Sequence, residues 1–137
     1  MGGYGAMRLA LAHPDRYCSA VSHSGAVLFG TERQERLSAA EFTRVRGLKP
    51  DGSRHDLKHV ARQAAKKGKL PKLRLDCGTE DHLIADNREF HQFLVKQKIA
   101  HEYEEFPGEH NWKYWDEHVR EAIAFHARVV GIKPRAS

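Results

Sequence analysis

The chain has 137 residues, of which 40% are hydrophobic, and its 23 Lys and Arg against 18 Asp and Glu give a net charge of +5. A chain of this size forms one domain or part of one, and its apolar content excludes an intrinsically disordered protein. No apolar run approaches the roughly 18 residues that a membrane span needs, and the first residues lack the regions of a signal peptide. We therefore expect a soluble cytoplasmic protein that contacts no membrane.

Charge and cysteine usage argue against nucleic-acid, disulfide and zinc-knuckle chemistry. The positive residues concentrate at positions 58–74, with no aromatic residue among them to stack on bases. They recur with helical spacing, which is typical of the solvated face of an amphipathic helix, so we expect no nucleic-acid partner. Cys18 and Cys77 are too few and too far apart for a disulfide framework, which predicts two reduced, buried thiols.

In the first half of the chain, the pattern predicts a helix, a strand and a long connection. Residues 5–12 are helical in character, and the helix stops before Pro14 because the residue preceding a proline disfavours the α region. Residues 18–24 form a short buried strand. Over residues 25–54 the pattern weakens, and we expect a cap or lid-like insertion with one short helix that starts at Ser38.

The second half of the chain alternates helices and strands. A helix is predicted at 55–67 and a strand at 73–77, where apolar and polar residues alternate with the period of two of a β-strand. A helix capped by Asp86 follows, then a strand at 101–106 and a final helix at 112–130. The apolar stripe of this last helix comprises Trp115, Val119, Ala122, Ile123 and Val130.

Strands separated by helices pair in parallel through crossovers, which predicts a three-layer α/β/α fold. Only three strands are visible, and the first helix has no strand before it. Because three strands make a small sheet for this class, we expect the chain to form a single partial domain over residues 1–137, the later part of a larger sheet.

Several short motifs together resemble one enzyme family. The start, Met1-Gly2-Gly3-Tyr4-Gly5, resembles the end of the nucleophile elbow G-x-S-x-G and the helix after it, with Met1 and Gly2 as the last two motif positions. The other matching motifs are His13-Pro14-Asp15-Arg16-Tyr17, Ser22-His23-Ser24-Gly25, Asp76-Cys77-Gly78-Thr79-Glu80-Asp81 and Phe106-Pro107-Gly108-Glu109-His110-Asn111-Trp112. Together they are similar to the carboxyl-terminal half of the Putative esterase family of α/β-hydrolases, which includes esterase D (S-formylglutathione hydrolase) and tributyrin-type esterases.

The resemblance implies a serine-type carboxylesterase or thioesterase that acts on a small acyl ester or thioester. By motif position, Asp81 is the triad acid, His110 is the general base, and the Met1 backbone N–H is an oxyanion donor. The nucleophilic serine falls one residue before Met1, so we expect the isolated chain to be inactive. No metal or organic cofactor is implied. Trp112, Tyr114 and Trp115 are candidates for the walls of the substrate pocket, although the stripe position of Trp115 favours the core for that residue.

The sequence leaves alternatives open for the acid and the histidine. Glu80 and Asp76 compete with Asp81 for the role of acid. His55 and His59 have the i, i+4 spacing of a zinc pair but lack the adjacent glutamate and third ligand of a zinc protease.

Neighbouring residues provide further candidates at the same edge of the sheet. His82, beside the acid, is placed to join His110 in a metal site, although no other sequence feature favours one. Ser22 and Ser24 lie at the end of the strand 18–24 near the same edge, where ordinary polar residues are more common than a replacement nucleophile.

A different class of function is also consistent with the sequence. If the preceding strand is absent from the natural protein, the edge of strand 18–24 is open to pairing with another chain or with a second copy. This alternative is a non-catalytic remnant that forms a homodimer or binds a partner through that strand.

Overall fold

The computed structural model describes residues 1–31, 39–47 and 50–133. In chain order the elements are α1 (Gly2–Ala12), β1 (Ser19–His23), α2 (Ala39–Arg46), α3 (Leu57–Lys66), β2 (Lys72–Gly78), α4 (Ile84–Lys96), β3 (His101–Phe106) and α5 (Trp112–Val129). They follow the predicted order, although α1 begins at Gly2, earlier than predicted. Within the described ranges, no helix combines the length and the apolar character that crossing a membrane requires.

The three strands form one parallel sheet in the order β1-β2-β3. Helices α1, α3 and α4 contribute apolar side chains to one core, which also contains Ala20, Leu73 and Leu75 from the sheet. Helix α5 covers the opposite face, where Tyr114 and His126 bond to side chains of β2 and β1. This arrangement is the predicted three-layer α/β/α fold, with β1 at an edge of the sheet.

The central strand β2 carries polar side chains in a buried setting. All of its residues after Lys72 are buried. The Arg74 guanidinium pairs with the carboxylates of Glu102 and Glu104 on β3, and Asp76 accepts a hydrogen bond from Tyr114 of α5. Because each of these charges has a partner, the strand can be covered on both faces, as is usual in parallel sheets.

The segment predicted as a lid-like insertion begins within the core. Val27, Leu28 and Phe29 are buried, and the ring of Phe29 contacts Tyr4 of α1 edge-on. A Cβ added at Gly30 would lie 1.5 Å from the carbonyl oxygen of His55, so this segment runs directly against the start of α3. The predicted helix start at Ser38 lies outside the described residues, and α2 begins at the next residue.

Two predictions about the later helices are wrong in detail. Asp86 lies within the first turn of α4 rather than before it, and the N-cap position is Leu83, with no side-chain cap. The Leu83 N–H donates to Oδ1 of Asp81 at 2.8 Å. In α5 the predicted core stripe is largely exposed, including Val119 and Ile123. The buried positions of α5 are instead Tyr114, His118 and Phe125.

The glycines at the start of α1 differ in their surroundings, which gives a test of their packing. A Cβ at Gly3 would lie 2.9 Å from the Gly25 Cα and 2.6 Å from the Ser22 hydroxyl, whereas one at Gly5 meets no described atom within 4 Å. We expect Gly3→Ala to lower the free energy of unfolding by about 1–3 kcal/mol through overpacking. Gly5→Ala should raise it by about 0.5–1 kcal/mol, because alanine loses less entropy in a helix. Urea unfolding measures both, and equal effects of the same sign would contradict the close approach.

Candidate active site

The candidate site lies at the carboxyl end of the sheet, where two loops meet. Parallel pairing of β2 with β3 places Gly78 opposite Phe106, so the loops that follow these strands leave the sheet side by side. A Cβ at Gly78 would lie 2.1 Å from the carbonyl oxygen of Gly108, and only glycine permits this approach. The first loop carries Asp81 and the second carries His110.

Asp81 and His110 are in direct contact. The Nδ1 atom of His110 lies 2.8 Å from Oδ2 of Asp81, whose side chain is completely buried while that of His110 is 32% exposed. The other carboxylate oxygen of Asp81 accepts the Leu83 N–H, so the carboxylate is held from two sides. A carboxylate partner makes Nδ1 the donor, which leaves Nε2 of neutral His110 able to accept a proton.

Glu80 and Asp76, the competing acids, are occupied elsewhere. The Glu80 carboxylate accepts hydrogen bonds from the Thr79 hydroxyl and the Gly108 N–H, which lower the pKa of Glu80. The Glu80 N–H in turn donates to the Gly108 carbonyl at 3.0 Å. Glu80 therefore connects the loop that carries Asp81 to the loop that carries His110, and its carboxylate bonds to Thr79 and Gly108 rather than to His110.

Asp76 lies below the site and joins three elements. Its buried Oδ1 accepts from the Tyr114 hydroxyl at 3.1 Å and lies 2.6 Å from Nδ1 of His23. Burial lowers the pKa of His23, but hydrogen bonding and charge attraction from Asp76 outweigh it, so the pKa is raised overall. Burial and the Asp76 charge both raise the pKa of Tyr114. Asp76 on β2 thus contacts both β1 and the first turn of α5, the helix that begins shortly after His110.

This connection can be tested with Tyr114→Phe. The substitution removes a donor from a buried carboxylate, and we expect the free energy of unfolding to fall by about 1–3 kcal/mol. Tyr103→Phe is the matched control, because the Tyr103 hydroxyl donates to the more accessible Glu105. Chemical unfolding of both variants should show the larger loss for Tyr114→Phe, and the reverse order would contradict the role of Asp76.

An open pocket of about 540 Å³ adjoins His110. Met1 and Trp112 line it, as does Trp115, whose ring lies edge-on to His110 with centroids 4.9 Å apart. The expectation that Trp115 is a core residue is therefore wrong, since Tyr114 takes the buried position of this helical turn. Tyr114 is 2% exposed and does not line this pocket.

A family model described as "Putative esterase" matches residues 1–126. The chain belongs to the Putative esterase family. This membership accounts for the sheet order and for the motifs that resemble the later half of an α/β-hydrolase domain.

Known members and solved structures agree with this assignment. An acetyl esterase of Caldicellulosiruptor saccharolyticus is 30% identical over 139 residues, which cover 94% of this chain and 52% of that protein. The structure of S-formylglutathione hydrolase (FrmB) from Staphylococcus aureus matches with a TM-score of 0.78 and 29% identity, over 91% of this chain and 50% of that chain. FphF, a fluorophosphonate-binding serine hydrolase of the same organism, matches with a TM-score of 0.75 and 28% identity. The match covers 90% of this chain and 49% of that chain. The chain thus spans about half the length of these relatives, and its sheet is the later part of an α/β-hydrolase sheet.

The candidate serines and the candidate zinc histidines lie in different surroundings. Ser24 lines the pocket and has a left-handed φ of 48°, whereas Ser22 is buried beneath Gly3 and Gly25. Among the described residues, His55 and His59 belong to no cluster of metal-ligating groups.

The two cysteines differ in exposure. Cys77 is buried, and burial raises its pKa to about 12, so its thiol stays protonated. Cys18 is exposed, contrary to prediction, because it lies just before β1 rather than within it.

Proposed function

We propose that this chain supplies the acid and the base of a serine-type ester or thioester hydrolase. The observation that supports this function is the 2.8 Å contact between a buried Asp81 carboxylate and the half-exposed His110 ring, beside a pocket that reaches Met1. Buried acid, accessible imidazole and an adjacent cavity are the elements of nucleophile activation.

In this proposal the nucleophile is a serine directly before Met1. Its oxygen attacks the acyl carbon while Nε2 of His110 accepts the hydroxyl proton, and Asp81 stabilises the resulting imidazolium. The Met1 N–H, as part of a peptide bond, donates to the developing oxyanion. His110 then protonates the leaving alkoxide or thiolate, and water that it deprotonates releases the acid from the serine.

The pocket and the relatives support a small acyl ester or thioester as the substrate. Met1, Trp112 and Trp115 provide apolar walls suited to a small acyl group. The names of the acetyl esterase and of S-formylglutathione hydrolase point to short acyl esters and thioesters. Each step uses only side chains, a backbone N–H and water, so the proposed reaction requires no cofactor.

The test joins this chain to the upstream half of the acetyl esterase relative, so that a serine precedes Met1. We expect the fused protein to hydrolyse p-nitrophenyl acetate and the isolated chain to be inactive. The matched control replaces that serine by alanine and should be inactive while remaining folded by circular dichroism. A folded fusion without activity, or hydrolysis by the serine-free control, would contradict the proposal.

The alternative of self-association rests on the position of β1 at the edge of the sheet. A parallel edge strand offers unpaired N–H and C=O groups to another chain. Sedimentation of the purified chain and of the fused protein tests this alternative. Self-association through β1 predicts that the chain alone is a dimer. The fused protein should then be a monomer, because the upstream half would pair with the same edge.

A further inference from the structure

We propose that Asp81, His82 and His110 form an inhibitory binding site for Zn²⁺. Each residue offers one ligand atom, and these atoms all lie within 4.8 Å of one another. Two imidazoles and a carboxylate, with water in the fourth position, are a ligand set that zinc accepts in proteins. Among the described residues, this is the cluster of three or more metal-ligating side chains that the fold assembles.

The distances are close to those that zinc requires. Tetrahedral zinc with bonds of about 2.0–2.1 Å holds its ligand atoms about 3.3 Å apart. Nδ1 of His82 lies 3.5 Å from Oδ1 of Asp81, and Nδ1 of His110 lies 2.8 Å from Oδ2. The two imidazole rings are neighbours, with centroids 4.7 Å apart. The two histidines contact different oxygens of the Asp81 carboxylate, and both side chains are partly exposed, so rotation of their rings can bring two nitrogens to one metal position beside it.

Burial and charge favour the same conclusion. The Asp81 side chain is fully buried and held by the Leu83 N–H, so one ligand is fixed before the metal arrives. The side chains of His82 and His110 are 40% and 32% exposed, which gives zinc access from solvent. The single negative charge of the carboxylate lies directly at the metal position and offsets part of the zinc charge.

Zinc bound at this position would inhibit the hydrolase. Coordination through Nδ1 of neutral His110 requires that its one ring proton move from Nδ1 to Nε2, with no change in the number of protons. Nε2 is the atom that must accept the serine proton, so the zinc-bound histidine cannot act as the base. This inhibitory consequence rests on the proposed function, whereas the binding of zinc does not.

The experiment titrates Zn²⁺ into the purified chain, without a histidine tag, in competition with a chromogenic zinc chelator. We expect His82→Gln to weaken the tightest site by at least the roughly 10- to 100-fold that loss of an outer-shell partner costs. The matched control is His91→Gln, because His91 belongs to the other close histidine pair, 2.8 Å from His101. Circular dichroism checks that both variants remain folded, and nitrogen NMR of His110 reports zinc on Nδ1 directly.

Each outcome decides the proposal. Loss of the tight site in His82→Gln and its retention in His91→Gln support it. An unchanged affinity in His82→Gln, a loss in His91→Gln instead, or His110 resonances that zinc does not shift would overturn it. In the fused protein, Zn²⁺ should inhibit ester hydrolysis less in His82→Gln than in the unmodified sequence. A fused protein with no hydrolysis at all would contradict the proposed function, while the chelator titration would still decide the zinc site.

Discussion

His110→Ala should lower the rate of ester hydrolysis by about 10⁴- to 10⁶-fold in the fused protein that carries the serine before Met1. Without the imidazole, no group accepts the serine proton or returns it to the leaving alkoxide. The His110 ring is partly exposed, so its removal should leave the fold intact. The measurement is kcat and KM for p-nitrophenyl acetate, and we expect the loss in kcat.

The control for this variant is His59→Ala. His59 is a half-buried residue on α3 and lies outside the pocket that contains His110. Its substitution tests whether removal of any histidine from this histidine-rich chain has the same effect. Hydrolysis that survives in His110→Ala, or an equal loss in His59→Ala, would remove His110 from the mechanism.

Asp81→Asn should lower kcat by about 10⁴-fold in the same fused protein. Asparagine has nearly the shape of aspartate, but its amide can donate to Nδ1 and so favour the tautomer with the proton on Nε2. It also cannot stabilise the imidazolium that forms during acyl transfer. Because the Asp81 carboxylate also accepts the Leu83 N–H at the start of α4, thermal unfolding must accompany the kinetics.

Glu80→Gln is the matched comparison, since Glu80 is the neighbouring acid. Glutamine keeps an oxygen that can accept from Gly108 N–H, so the contact between the two loops is largely preserved. We expect a far smaller loss of kcat than in Asp81→Asn. If Glu80→Gln proved the more damaging of the two, the acid would have been assigned to the wrong residue.

The local pattern was sufficient to predict the elements and the chain order of the site. Strands β2 and β3 were located by short runs between turn residues, and the acid and histidine loops by their place directly after those strands. Because the carboxyl ends of parallel strands lie at one edge of a sheet, Asp81 and His110 could be expected to meet although 29 residues separate them.

The orientation of α5 could not be obtained in the same way. Its apolar periodicity pointed to Trp115, Val119 and Ile123, whereas the buried positions are Tyr114, His118 and Phe125. Tyr114 faces the sheet because Asp76, a buried carboxylate on β2, accepts a hydrogen bond from its hydroxyl. A hydrophobicity pattern does not register that partner, since it lies on another element.

The amino-acid sequence by itself determined the family, the α/β class and the two loops, after β2 and β3, that carry the candidate acids and the candidate histidine. Only the tertiary structure decided which of two adjacent acids faces the histidine, and it assigned Glu80 to joining the two loops. The same packing put the Asp81 carboxylate within reach of the Leu83 N–H, just before α4, and brought His82 beside His110. These outcomes depend on contacts between loops that are distant in the chain. Neighbouring residues with similar chemistry, such as Glu80 and Asp81, differ only in the direction of their side chains, and the packing of the backbone sets that direction.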